Sequence, residues 1–244
     1  MPSRQTPGVA VVLGARNLGG TISRSLLAGG WRVASVARTQ ADLKPLEQAG
    51  ALAICADAGD PARLQATLAQ AAGELGPLDL IVNAVSAARP PGDGSGFGGG
   101  DVAVATIAGF DGWTVAVARQ AFVFLTSGAR ALAGHGGTLV QITGAPARRA
   151  DPTRGLLAAG QAATRALVHA AAQELRASGT QVVLLIVDGI IASPKTAQMA
   201  AGRSKDALVR QDDVAQAVRY LAEQSACGLT HELILTAAGD RWLP

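Results

Sequence analysis

A chain of 244 residues, 49% hydrophobic and 16% charged, has the length for one large core and favours a single domain, residues 1–244, over two. Aromatic residues make up only 3%, so the core must be filled by Ala, Val, Leu and Ile, which suits helices packed closely on a parallel sheet. The formal charge is +3, but the arginines are scattered and no basic run is interleaved with aromatics, which argues against a nucleic-acid partner.

The tail at residues 1–7 is polar and leads into an apolar run, Val9 to Leu13, too short for a secretory segment or a membrane span. A soluble, cytoplasmic protein with no membrane partner is expected. Short apolar runs then recur: GVAVVLG (8–14), WRVASVA (31–37), ALAICA (51–56), LDLIVNA (78–84), GTLVQIT (137–143), TQVVLLIV (180–187) and ELILT (232–236). Helical spacing fills the intervals, as in Leu64, Leu68, Ala71 and Leu75, or Val214, Ala217, Val218 and Leu221. Strands that read as continuous Val, Ile and Leu are buried on both faces, so the predicted fold is α/β, a Rossmann-like doubly wound parallel sheet of seven strands with helices on both faces. The Pro/Gly-rich run AARPPGDGSGFGGG (87–100) follows the fourth strand. It is a loop at a strand's C-terminal end, serving either as a substrate-facing lid or as a tolerated insertion. Cys55 and Cys227 lie apart and form no CxxC or Cys/His cluster, so both read as small buried hydrophobes, and His135, His169 and His231 are dispersed; no metal site is expected.

The first strand runs into LGARNLGGTISRSLL, with Gly14, Gly19 and Gly20 opening an amphipathic helix. A strand, a tight glycine turn and a helix N-terminus together favour an anion, because free N–H groups and the helix dipole face it.

These features and their order resemble the short-chain dehydrogenase/reductase superfamily over roughly residues 8–238. The family's TGxxxGxG matches Leu13, Gly14, Ala15, Arg16, Asn17, Leu18, Gly19 and Gly20; the middle glycine has become Leu18, with a glycine one place later. At the end of the second strand the family's NAD users carry an acid where Ala37 stands, and Arg38 follows it. The resemblance therefore implies NADP(H), with Arg38 and, second to it, Arg16 as contacts to a 2′-phosphate. Asp57, with Ala58 after it, stands where the family meets adenine. Asn83, Ala84, Val85 and Ser86 stand for NNAG. In LIVDGIIAS, the counterpart of PGxIxT, Asp188 replaces Pro, Gly189 is kept, Ile191 offers its backbone and Ser193 stands for Thr. The segment QDDVAQAVRYLAEQ is similar to the family's PEDVAxAVxFL.

The family's catalytic Ser, Tyr and Lys are replaced. Gly144 occupies the Ser position, with Thr143 before it, and LLAAGQAA aligns Leu157 with Tyr and Gln161 with Lys. The chain's one tyrosine, Tyr220, and its lysines, Lys44, Lys195 and Lys205, lie outside this helix. The family's Asn falls at Arg119 or Gln120. No residue is catalytic by the family mechanism. The substitutes considered are Asp188, as a desolvated acid or as a partner for loop N–H groups, and Lys195, as a swinging or a solvated cation. Gln161 and Thr143 are expected beside the cofactor, and Ser86 and Thr143 are poor acids. Arg148, Arg149 and Arg154 read either as anchors for an anionic small-molecule substrate or acidic carrier, or as a solvated loop. Two functions stay open: an oxidoreductase working without a Tyr acid, and a catalytically silent NADP(H)-binding regulator or inactive partner subunit. A lyase or isomerase on the same fold is a third. The Ala-rich face of the helix at residues 156–175, with the family's habit of pairing this helix, leads to an expected homodimer or homotetramer.

Overall fold

The computed structural model describes residues 7–86 and 96–241. In chain order these form β1 (Val9–Leu13), α1 (Leu18–Ala28), β2 (Arg32–Ala37), α2 (Gln40–Glu47), β3 (Leu52–Cys55), α3 (Pro61–Leu75) and β4 (Leu80–Asn83). The short helix α4 (Ile107–Phe110) runs through a π-helical turn, Asp111–Val115, into α5 (Ala116–Ala131). There follow β5 (Gly137–Gly144), α6 (Gly155–Glu174), β6 (Thr180–Asp188), β7 (Ile190–Ile191), α7 (Ala197–Ala200), β8 (Leu208–Val209), α8 (Gln211–Ala222) and β9 (Glu232–Thr236).

The seven strands read from the sequence form one sheet in the order β3-β2-β1-β4-β5-β6-β9, every pairing parallel. The order reverses between β1 and β4, which opens a crevice above the strands' C-terminal ends. Alternation along β1 divides the core. Val9, Val11 and Leu13 pack with Leu64 and Leu68 of α3, Phe124 of α5 and Val168 of α6. Ala10 and Val12 pack with Ile22 and Leu26 of α1 and Val214, Val218 and Leu221 of α8. Each fully buried Leu, Ile or Phe contributes about 1.5–3 kcal/mol relative to leaving it in water, so these two layers supply most of the drive to fold. Helix starts follow local chemistry. At α3, Pro61 needs no hydrogen-bonded N–H and the Asp60 carboxylate accepts from the Arg63 N–H at 2.9 Å.

Some details depart from the sequence reading. The expected helix at residues 156–175 spans Gly155–Glu174, and β7 pairs with β8 in a small second sheet that was not anticipated, because two-residue strands carry no periodicity. Cys55 and Cys227 are exposed rather than buried: Cys55 ends the edge strand β3, and Cys227 lies in the loop after α8. Of the loop at 87–100, residues 87–95 lie outside the described residues, as do residues 1–6 of the tail. Among the described residues, no helix is long and apolar enough to cross a membrane.

Candidate active site

The glycine turn shapes one end of the crevice. Gly14 adopts φ +100° while its N–H donates to the Val36 carbonyl at 2.8 Å. A Cβ at Gly19 would lie 1.8 Å from the Gly14 carbonyl oxygen, and one at Gly20 would lie 2.5 Å from that of Ala15. The start of α1 therefore closes against the turn only with glycine at both places, and Leu18 in the family's middle position does not prevent it. Asn17 precedes α1 at φ 47°, ψ −117°, with no side-chain cap, and the first turn of α1 holds no acid. Its amide donors and positive dipole end are left for an external anion.

From this turn a cleft of about 730 Å³ extends across β4, β5 and β6 to the start of α6. It is lined by many of the residues singled out in the sequence: Arg16, Asn17, Leu18, Ala84, Thr143 and Gln161, then Asp188, Gly189, Ile191, Ser193 and Lys195 from the β6 end onward. Gly14 and Gly20 shape the turn itself. Arg38 and Asp57 are exposed, beyond the C-terminal ends of β2 and β3. The Asp57 carboxylate accepts from the Gly59 N–H at 2.9 Å, with Ala58 buried beside it. Arg16 reaches toward α2, its Nε 3.7 Å from an Asp42 carboxylate oxygen that also accepts from the Thr39 hydroxyl at 2.6 Å. Asn83 is only 1% exposed and outside the cleft wall. Its amide nitrogen donates to the Gln141 Oε1 at 2.9 Å and its Oδ1 accepts from the Val85 N–H at 3.3 Å, so it braces β4 against β5.

Where the family's acid would stand, the structure places packing. Leu157 is 6% exposed and clusters with Leu156 and Trp113. Gln161 accepts from the Gly144 N–H at 3.3 Å. Gly160 is held without a side chain for a steric reason: a Cβ there would come within 2.8 Å of the Trp113 carbonyl oxygen and 2.9 Å of that of Thr114, in the π-helical turn. The register left open at Arg119 and Gln120 is decided, since Gln120 lines the cleft and Arg119 is exposed.

Asp188 closes β6 at 3% exposure, and its partners are arginines rather than loop N–H groups. Arg149 grips it with both terminal nitrogens, at 2.9 and 3.1 Å, and Arg148 stands at 3.8 Å. The hydrogen bond to this carboxylate pushes the Arg149 guanidinium above its usual pKa, against the opposing effect of burial. Held in this way, both carboxylate oxygens accept hydrogen bonds from Arg149. Lys195 lines the cleft from an exposed turn. Among the described residues, no group of His, Cys, Asp and Glu stands close enough to bind a metal.

Residues 12–239 match the family model described as Enoyl-(Acyl carrier protein) reductase. The chain belongs to the short-chain dehydrogenase/reductase superfamily. A stretch of 77 residues is 46% identical to L-xylulose reductase of Bos taurus, covering 30% of this chain and 30% of that relative. A double mutant of a Serratia marcescens short-chain dehydrogenase/reductase is similar in structure, with TM-score 0.80, 23% identity, and coverage of 98% of this chain and 100% of that one. An alcohol dehydrogenase of the archaeon Thermococcus sibiricus, complexed with 5-hydroxy-NADP, gives TM-score 0.74 at 21% identity, with 98% of this chain and 100% of that one covered. Actinorhodin polyketide ketoreductase with NADPH gives 0.75 at 22% identity, with 99% and 100% covered. At these identities the structural likeness establishes the fold. Within it, this short-chain dehydrogenase/reductase has features that motif reading missed: Phe97 and Trp113 on the cleft wall, and, beside the Ser193 and Lys195 already named, Gln198, Met199 and Arg203 of the loop between β7 and β8.

Proposed function

We propose that the protein binds NADP(H) at the Gly14–Gly20 turn and holds a small molecule beside it in a cleft that supplies no side-chain acid for carbonyl reduction. The observation that carries this reading is Leu157, packed under Trp113, together with Gln161 tied to the Gly144 N–H. The cofactor assignment is supported by the uncapped start of α1, by Arg38 next to a non-acidic Ala37, and by structural neighbours complexed with NADP or NADPH. In this reading the α1 amides and Asn17 hold the pyrophosphate, Arg38 and Arg16 the 2′-phosphate, and Asp57 and Ala58 the adenine. Ala84, Thr143, Gln161, Gly189, Ile191 and Ser193 flank the nicotinamide half. When bound, NADP(H) supplies or accepts a hydride. Gln161 can hydrogen-bond a ribose hydroxyl, but as a neutral group it shifts no neighbour's pKa as an ammonium does. A second reading is favoured by one observation: the cleft is open and lined by neutral donors at Gln120, Gln141 and Thr143. Hydride transfer with water as the acid would then be slow rather than absent.

Cofactor choice is tested by titration. NADPH is expected to bind more tightly than NADH, and Arg38→Ala to remove most of the difference, since a charge-assisted pair contributes about 1.5–3 kcal/mol. Equal affinities in the unmodified protein would dismiss the assignment.

The protein is further proposed to be a homodimer or homotetramer. Helices α5 and α6 lie side by side; Val115, at the end of the π-helical turn leading into α5, and Phe122 of α5 are 45% and 53% exposed, and α6 exposes Ala159, Ala162 and Ala166. Phe122→Glu should convert the oligomer to monomer in light scattering at micromolar concentration. A monomeric unmodified protein would count against the assembly. Two free, exposed thiols suit a reducing compartment, which supports a cytoplasmic setting.

A further inference from the structure

The cleft has a second end, away from the glycine turn, built by the segment 96–100 and the first turn of α6. Phe97 meets Trp113 edge-on, with ring centroids 5.3 Å apart and planes at 77°. The Arg154 guanidinium carbon lies 5.7 Å from the Phe97 ring centre. With Leu157 packed on Trp113, these side chains form an apolar wall with a cation at its lip, and all of them line the cleft.

Backbone contacts fix this arrangement. Gly98 has φ +101°, and a Cβ on it would stand 2.9 Å from the Arg154 Cγ; Gly99 has φ +96°, and its Cβ would stand 2.7 Å from a Leu156 methyl. The Gly98 carbonyl accepts from the Leu157 N–H at 3.3 Å. The glycine run seen in the sequence therefore lets the chain press directly onto Arg154 and Leu156. A cation positioned in this way loses little freedom when a ligand arrives.

Charge separates Arg154 from its neighbours. Arg149 is engaged by Asp188 and Arg203 by Asp240, at 2.9 and 3.4 Å. Among the described residues, Arg154 has no carboxylate partner. Its contact is the face of Phe97, and a guanidinium stacked on a ring still offers its N–H edges in plane.

We propose that Arg154 anchors an anion subsite, and that the small molecule held in the cleft has an apolar body ending in a carboxylate. The carboxylate would take the guanidinium's paired N–H edge, and the apolar body would lie along Phe97, Trp113 and Leu157. This names the substrate class for the cleft and rests on the reading that the cleft is the substrate end of a cofactor site.

The test is calorimetric titration of the full chain, with and without NADPH, using octanoate, octan-1-ol and octylamine. Octanoate should bind at least about tenfold more tightly than octan-1-ol, as expected for hydrogen bonds to a charged group, and octylamine should bind most weakly. Arg154→Gln should erase the preference for octanoate while leaving NADPH affinity, read from nicotinamide fluorescence, unchanged. Arg154→Lys should keep part of the preference. In the unmodified protein, added salt should weaken octanoate but not octan-1-ol, a measurement that stands even if the variants fold poorly. Equal affinity for octanoate and octan-1-ol, a preference that survives in Arg154→Gln, or a salt-insensitive octanoate affinity would each overturn the subsite. Octanoate binding as expected without any NADPH binding would instead remove the cofactor reading and leave the anion subsite standing.

Discussion

Gly144→Ser, Leu157→Tyr and Gln161→Lys, made together, should raise NADPH-dependent reduction of simple ketones and aldehydes about 10²- to 10⁴-fold over the unmodified protein, the usual worth of a positioned general acid. Reducing a carbonyl requires a proton at oxygen as hydride reaches carbon, and in the proposed reading Leu157 and Gln161 stand where the family's acid and its cationic partner would supply it. All three positions border the cleft. A Cβ at Gly144 meets nothing nearer than 3.5 Å. Leu157 and Gln161 both border the cleft, so a phenol and an ammonium there would have open space to enter. The larger ring at Leu157 must still be accommodated beside Trp113, and overpacking of this kind costs about 1–3 kcal/mol of stability, which a melting curve would register. Leu157→Tyr alone should do little, because a phenol without a neighbouring cation keeps a pKa of about 10. The measurement is NADPH oxidation across a carbonyl panel. Turnover by the unmodified protein at about 1 to 10³ per second, the ordinary enzyme range, would reveal an unrecognised acid and end the acid-free reading.

Asp188→Asn should produce the largest loss of stability from a single change in the cleft wall. The carboxylate is 3% exposed, receives both terminal nitrogens of Arg149 and has Arg148 3.8 Å away. Neutralising it removes the carboxylate charge that both guanidinium groups approach. Breaking a buried pair from one side costs about 3–5 kcal/mol, and the low end applies because the Arg149 and Arg148 side chains remain 23% and 14% exposed to water. For a domain of this size that corresponds to a fall in Tm of about 6–12 °C. The double variant Asp188→Asn with Arg149→Met should recover part of the loss, since it also removes the guanidinium that holds Asp188 most closely. A change within about 0.5 kcal/mol of zero, the range of an ordinary surface substitution, would show that the pair is not structural.

The sheet was legible in the sequence because parallel strands covered on both faces must be apolar throughout. Runs such as VAVVL and TQVVLLIV, short and β-branched, fit strands of this kind. The glycine turn was legible for a local reason as well: backbone at positive φ, or packed against another backbone, excludes a side chain. The loss of the family's Tyr and Lys also needed no coordinates, since the chain's single tyrosine, Tyr220, and all its lysines lie outside the helix that would carry the acid.

What each polar side chain does was legible only in part. Asp188 read as a partner for loop amides more readily than as an acid, and neither reading reached its arginines, which lie 39 and 40 positions earlier in the chain, because no local pattern joins residues that far apart. Arg148, Arg149 and Arg154 looked alike as a basic loop, yet Asp188 takes the first two and Phe97 the third. Asn83, read as a cofactor contact from its motif position, is occupied by Gln141 of the neighbouring strand. By itself the sequence determined the strands, their alternation with helices, the turn at Gly14–Gly20 and the absence of the usual acid, since all of these follow from steric and hydrophobic rules acting over a few residues or from composition alone. Tertiary structure alone decided which charges cancel, which of Arg119 and Gln120 faces the cleft, and that Gly98 and Gly99 press onto Arg154 and Leu156. Those outcomes depend on contacts between distant segments, and a hydrogen bond or an ion pair is set by the position of both its partners.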